Sequence, residues 1–237
     1  MDSLYEILVV YLKGSKRNGL MNIRPTQQGF SIIELLVTLV IVSILLSIAG
    51  PQFSAFMSNN RMAATINDMN SSLHLARTEA IKRNSFVSLC PSTNWSSETP
   101  SCDPTSSFAE GWIVFIDANG DGTPDLTVDA DEDLLKSHQA INEGMDLKAG
   151  SGTSELAGDQ FIIFQPSGYP MVSLAGKQAV FNLQLCDDRG AEDTGAGISA
   201  GRWINISPTG RSQMHRAQDA VEHDNNPLGG CGYMTSS

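Results

Sequence analysis

The 237-residue chain is short of charge and of aromatic side chains, at 17% and 7%, and it holds only four cysteines, four histidines and three tryptophans. Each shortage removes a class of function. Basic residues number 15 against 26 acidic ones, so the positive field that draws a protein to phosphate over long range is missing. There is no H-E-x-x-H pair, no Gly-rich loop of the kind that cradles phosphate, and no two cysteines in C-x2-C spacing. Zincin, P-loop and zinc-ribbon chemistry therefore lose their sequence basis. No internal repeat sets up a solenoid or propeller. A structural or binding protein is expected rather than an enzyme.

What the chain has in quantity is one apolar run. From Phe30 to Ala49, 20 residues carry a single formal charge, Glu34. As a helix rising about 1.5 Å per residue, such a run spans roughly 30 Å, the hydrocarbon thickness of a bilayer. Upstream, Lys13, Lys16, Arg17 and Arg24 outnumber Asp2 and Glu6, which predicts a cytoplasmic N-terminus and an exported remainder. A cleavable secretory signal would have a shorter apolar region ending in a small-x-small site, whereas this run is long and passes into "GPQF". A carboxylate in lipid costs a few kcal/mol and persists where it finds a partner, so Glu34 is a candidate functional residue.

Beyond Pro51 the composition turns polar and helix-forming. Ile66, Met69, Leu73, Ala76 and Ala80 recur at alternating spacings of three and four, one apolar stripe with Asp68, Ser71, Thr78 and Lys82 off it. This predicts a second, amphipathic half of one long helix (51–84), bent at Pro51, whose ring clashes with the preceding turn, and ended by Asn84-Ser85. From Ser85 the pattern becomes short β-branched or aromatic runs between turn residues: "FVSLC", "GWIVFIDAN", "LLKSHQAI", "DQFIIFQPSG", "AVFNLQLC" and "RWINISPTG". About six mostly antiparallel strands follow. The fold class is α+β, a long N-terminal helix laid on a sheet, with one head at 85–237 large enough to bury its own core.

The stretch "GFSIIELLVTLVIVSILLSIAGPQF" resembles the class III signal of type IV prepilins and type II secretion pseudopilins. The blocks "LHLARTEAIKRNSFVSLC", "GWIVFIDANGDG" with "DLLKSH", "FQPSG" and "SPTGR" are similar, in the same order, to the GspH/FimT/FimU group of minor pilins and pseudopilins. The resemblance implies a pilin-like fold. It implies that a prepilin peptidase cuts after Gly29 and that Phe30 becomes the methylated N-terminus. Glu34, fifth in the mature chain, would neutralise the N-terminal amine of a neighbouring subunit, and Pro51 would be the helix-bending proline. The segment 1–29 is then a leader and 30–50 the membrane and filament-core half of the helix. Met21 would begin a nine-residue leader, "MNIRPTQQG", of ordinary size for the family, and is the expected start of translation. Loss of residues 1–29, with four basic and two acidic side chains, leaves a mature chain near −13.

Cys90, Cys102, Cys186 and Cys231 are an even set in an exported head, which argues for disulfides; four cysteines allow three pairings, and chain proximity favours Cys90 with Cys102 and Cys186 with Cys231. The second bridge would fix the segment "MHRAQDAVEHDNNPLGG", whose low apolar content reads as a mobile tail. In "DANGDGTPDLTV", Asp117, Asn119, Asp121 and Asp125 match much of an EF-hand loop, but Val128 replaces its last ligand, Glu. Two readings stand: a turn-forming loop that needs no cofactor, or a Ca2+ site completed by Asp129, Asp131 or Glu132. Some FimT-type pilins are thought to bind DNA through G-R-x-R; here Gly210-Arg211 is present and Gln213 stands for the second arginine, leaving Arg202, Arg211 and Arg216 as the local cations. The acidic balance argues against DNA. The expectation is a single-pass inner-membrane protein with a periplasmic head. It would meet prepilin peptidase, other minor subunits and the major subunit, and would help initiate or cap a type IV pilus or type II secretion pseudopilus. A DNA-uptake pilin is the alternative.

Overall fold

The computed structural model describes residues 29–117, 124–128, 132–152, 154–222 and 226–232, and within the helix it omits the side chains of residues 48 and 50–52. Leader residues 1–28, Asn119, Asp121, Asp129 and Asp131 lie outside the described residues. The chain divides into two compact units, Met1–Ala49 and Gly50–Ser237, each described by itself. One helix, α1 (Ile32–Arg83, 52 residues), supplies most of the first unit's described residues and opens the second.

In the second unit the stripe read from spacing is the face that packs. Ile66, Met69, Leu73, Ala76 and Ala80 are all buried, joined by Met62, while Asp68, Ser71, Thr78 and Lys82 are exposed. Burying a large aliphatic side chain contributes about 1.5 to 3 kcal/mol, and this face closes one wall of the core. The helix ends as expected. Asn84 takes a left-handed φ of 54°, and Ser85 N–H bonds back to the Ala80 carbonyl at 3.2 Å, a Schellman-type stop.

Two four-stranded antiparallel sheets form the head. The first has the order β3-β2-β1-β5, with β1 Val87–Pro91, β2 Trp112–Ile116, β3 Leu134–His138 and β5 Ile162–Phe164. The second runs β10-β9-β8-β4, with β4 Met145–Gly150, β8 Asn182–Asp187, β9 Ile198–Ile206 and β10 Ser212–Ala217. A short hairpin, β6 Ser173–Leu174 and β7 Lys177–Gln178, and a last helical turn, α2 Gln218–Val221, complete it. Helix, Val87, Leu89 and Val114 of the first sheet, and Leu183, Leu185 and Ile204 of the second share one core. The fold is thus α+β, a helix followed by an antiparallel head.

The six expected strands are present as β1, β2, β3, β5, β8 and β9; β4, β10 and the β6–β7 hairpin were not anticipated. The tail expected to rely on the Cys186–Cys231 bridge has further anchors. Ser212–Ala217 is a sheet strand, and beyond it Val221, Asn226, Leu228 and Cys231 are buried. Asn226 Nδ2 donates to the Val221 carbonyl at 2.7 Å and Cys231 N–H to Glu222 Oε2 at 2.8 Å. Polar side chains that satisfy the backbone act beside the bridge and the buried Val221 and Leu228 to hold this segment down.

Candidate assembly site

Ser31 opens α1: its Oγ accepts from Ile33 N–H at 3.3 Å and its carbonyl from Leu35 N–H at 3.1 Å, the work of an N-cap. Glu34 therefore sits in the first turn, where the helix dipole favours an anion. Among the described residues it has no ion pair. The apolar side chains on either side of it are exposed: Phe30 is 84% exposed, Ile32 82% and Leu46 65%. The polar exceptions in the run close on the helix itself. Thr38, Ser43 and Ser47 hydroxyls donate to the carbonyls of Leu35, Val40 and Ile44 at 2.8, 2.8 and 2.7 Å. With its hydroxyls spent internally, the run offers an environment only apolar surface and one carboxylate. Among the described residues no helix is long and apolar enough to cross a membrane.

In the head, the sequence blocks that carried the resemblance meet on the helix. Trp112 Nε1 donates to Ser72 Oγ at 3.0 Å, and Ser72 Oγ to the Asp68 carbonyl at 2.8 Å. The Trp112 indole stacks on His138 with centroids 3.7 Å apart. One turn further along, Arg77 donates to the carbonyls of Gly168 and Thr209 at 3.1 and 3.0 Å. That arginine pins the turns "QPSG" and "SPTG", one from beside each sheet. Sequence reading singled out neither Ser72 nor Arg77. Arg77 lies in the quoted helix block and Ser72 just before it, but their partners are 40 or more residues away, beyond the reach of periodicity.

Both favoured disulfides are present, Cys90–Cys102 and Cys186–Cys231, each with Cα atoms 5.5 Å apart. The first closes the loop after β1. The second fastens the tail across β8 and β9, and a Cβ at Gly201 would lie 2.5 Å from Cys231 Sγ, so glycine there makes room for the bridge.

Asp117 is buried, and its carboxylate receives Ser88 Oγ at 2.5 Å, Asp125 N–H at 3.0 Å and Leu126 N–H at 3.2 Å. Burial pushes its pKa above the usual carboxylate range, against the lowering pull of those three donors. Asp125 is itself bonded to Thr127 N–H at 2.7 Å. Both carboxylates thus shape the loop, and among the described residues no group of three candidate metal ligands assembles. The three local cations are not equally available. Arg211 and Arg216 are exposed, but Arg202 is buried with its guanidinium donating to the carbonyls of Ser199, Ala200 and Gly201. Burial, then Arg189 and Arg216, lower its pKa from the usual value.

One catalytic-looking string escaped the sequence reading: Gly197 to Gly201 spells G-x-S-x-G. A nucleophile elbow needs a strand-to-helix turn that exposes the serine. Here Ile198 to Gly201 run along β9, and Ser199 is buried with its hydroxyl donating to Glu222 Oε1 at 2.9 Å. The string is strand, and its serine is structural.

A long helix with an exposed apolar, acid-bearing start and an antiparallel two-sheet head defines a pilin-like α+β subunit. The chain belongs to the family of type II transport protein GspH, whose model matches residues 65–217, and it carries the prokaryotic N-terminal methylation motif at residues 24–50. It is a minor pilin or pseudopilin, of a family of structural subunits rather than enzymes. Among solved structures it is similar to the type IV minor pilin FimU of Pseudomonas aeruginosa, at 18% identity over 68% of this chain and 92% of that one, with a TM-score of 0.42. The minor pseudopilin EpsH of the type II secretion system of Vibrio cholerae is similar at 10% identity over 66% of this chain and 97% of that one, with a TM-score of 0.39. Comparison with curated proteins finds no match.

Proposed function

We propose that this protein is a processed, membrane-anchored minor subunit that helps initiate or cap a type IV pilus or type II secretion pseudopilus. Prepilin peptidase cleaves between Gly29 and Phe30, Phe30 is methylated, and the head stands in the periplasm. The observation that supports this reading is the start of α1: Phe30 and Glu34 head an apolar run whose hydroxyls are satisfied within the helix. Such a surface is stable in lipid or against other helices of its kind, and Glu34 needs a cation once there. The new amine of a neighbouring subunit supplies one.

Mass spectrometry of membrane and filament fractions tests it, with pull-down of the other minor subunits in the same cells. The expected result is a methylated Phe30 N-terminus and co-purification with pilin-like partners. An intact leader in cells with active peptidase would overturn the reading.

A further inference from the structure

The second sheet ends at β10, whose far side pairs with no strand among the described residues. Ser207 N–H donates to the Arg211 carbonyl at 2.8 Å, so the residues in step with Arg211, which are Gln213 and His215, turn their backbone groups toward β9. Ile206, opposite Ser212, instead sends its N–H to the Phe181 carbonyl at 2.7 Å, away from β10. By the alternation of an antiparallel ladder, Ser212 and Met214 therefore point N–H and C=O outward from the sheet. Among the described residues those outward groups have no backbone partner.

The strand that carries them is held on both faces. Ser212 Oγ donates to Asn70 Oδ1 of α1 at 2.7 Å, and the His215 ring stacks on Trp203 with centroids 4.5 Å apart. An edge fixed in this way is a template for one more strand, with little ordering cost on its own side. Its charge selects the strand. Arg211 and Arg216 are exposed at its two ends, in a chain with 26 acidic against 15 basic side chains, and the next acid along the chain, Asp219, lies beyond the strand in α2. A second copy docked edge to edge through β10 would bring those arginines beside their counterparts, where like charges repel. A phosphate backbone would match the arginines but has only acceptors to set against the Ser212 and Met214 carbonyls. A peptide strand offers N–H and C=O in alternation, and acidic side chains complete the match.

We infer that the outer edge of β10 adds an extended, acidic segment of a partner protein as a further strand, with Ser212 and Met214 pairing its backbone and Arg211 and Arg216 its carboxylates. This contact rests on the subunit reading above, but peptide binding is measured without peptidase or filament, so its failure and a failure of processing at Gly29 are told apart. The full-length protein in a zwitterionic detergent would be titrated with a Thr- and Val-rich peptide of about six residues, a common strand length, bearing Glu near each end. A Lys-for-Glu peptide, the acidic peptide with its backbone nitrogens methylated, and a short single-stranded oligonucleotide would be run in parallel, with amide NMR and hydrogen exchange as readouts. The expected result is binding of the acidic peptide alone, with the Ser212 and Met214 amides newly protected. Arg211→Glu combined with Arg216→Glu should weaken the acidic peptide about tenfold and transfer the preference to the basic one, two exposed pairs being replaced by like charges. Met214→Pro, tolerated where the N–H faces outward from an edge strand, should weaken binding with the disulfides and melting transition retained. No binding of the acidic peptide at millimolar concentration would overturn the inference. So would equal binding of the basic or N-methylated peptide, preference for the oligonucleotide, protection confined to other residues, or affinity unchanged in the arginine double variant.

Discussion

Gly210 stands directly against Gly168: a Cβ built on Gly210 would collide with the Gly168 carbonyl oxygen, and both residues have positive φ, 78° and 79°. Two turns far apart in sequence are thereby in backbone contact, and Arg77 holds both. Gly210→Ala should destabilise the head by more than about 1 kcal/mol, since strain and collision add. Arg77→Ala should cost roughly 1 to 2 kcal/mol by stranding two turn carbonyls. Combined, the two should be non-additive, because they disable one joint; urea unfolding of the single and double variants measures this.

Opening the Cys186–Cys231 bridge, with a sequence separation of 45, should cost about 4 kcal/mol on the chain-entropy model, against about 3 for Cys90–Cys102. The Cys186→Ser/Cys231→Ser variant should also free residues around Val221 and Leu228. Hydrogen exchange should show that loss of protection in the tail, with α1 unaffected.

Asp117 has its folded pKa raised by burial, so the folded state takes up its proton more readily than the unfolded chain does. The wild type should therefore gain stability relative to Asp117→Asn as pH falls through the raised folded value, levelling off below the ordinary carboxylate pKa. Asp117→Ala should cost about 2 kcal/mol at neutral pH, because buried donors lose their acceptor. Stability curves of the three proteins from roughly one unit below the ordinary carboxylate pKa of about 3.9 up to neutrality provide the test.

Glu34→Ala should leave the head's melting transition where it is, since Glu34 lies in the unit Met1–Ala49 and the head core in Gly50–Ser237. Assembly should fall, because a cationic N-terminus buried without a partner costs about 3 to 5 kcal/mol. Recovery of the variant with other minor subunits, scored against wild type, checks it.

The helix stripe was legible because burial on one face forces a repeat near 3.6 residues, and Ile66 to Ala80 keep it. Short runs such as "WIVFI" and "NLQLC" were legible as strands from β-branched and apolar content between turn residues. β10, "SQMHRA", was not: as an edge strand it is mostly exposed, so nothing obliges it to alternate. β4, "MDLKAG", carries Asp146 and Lys148 on the outward side and ends in Gly150, where a Cβ would lie 2.5 Å from Leu228 Cδ2; its signal is blurred by packing it cannot announce. The cysteine pairs followed from proximity in the chain. The head's joints did not, since Arg77 meets carbonyls 91 and 132 residues away, and any residue has a carbonyl to offer.

The stripe from Met62 to Ala80 is at once a face of α1 and a wall of the core of the second unit, so that unit cannot keep its core while this part of the helix frays. Trp112 bonded to Ser72, and Arg77 bonded to two turn carbonyls, tie the same stretch to the sheets. Within Gly50–Ser237, helix and sheets should therefore open as one cooperative block rather than element by element.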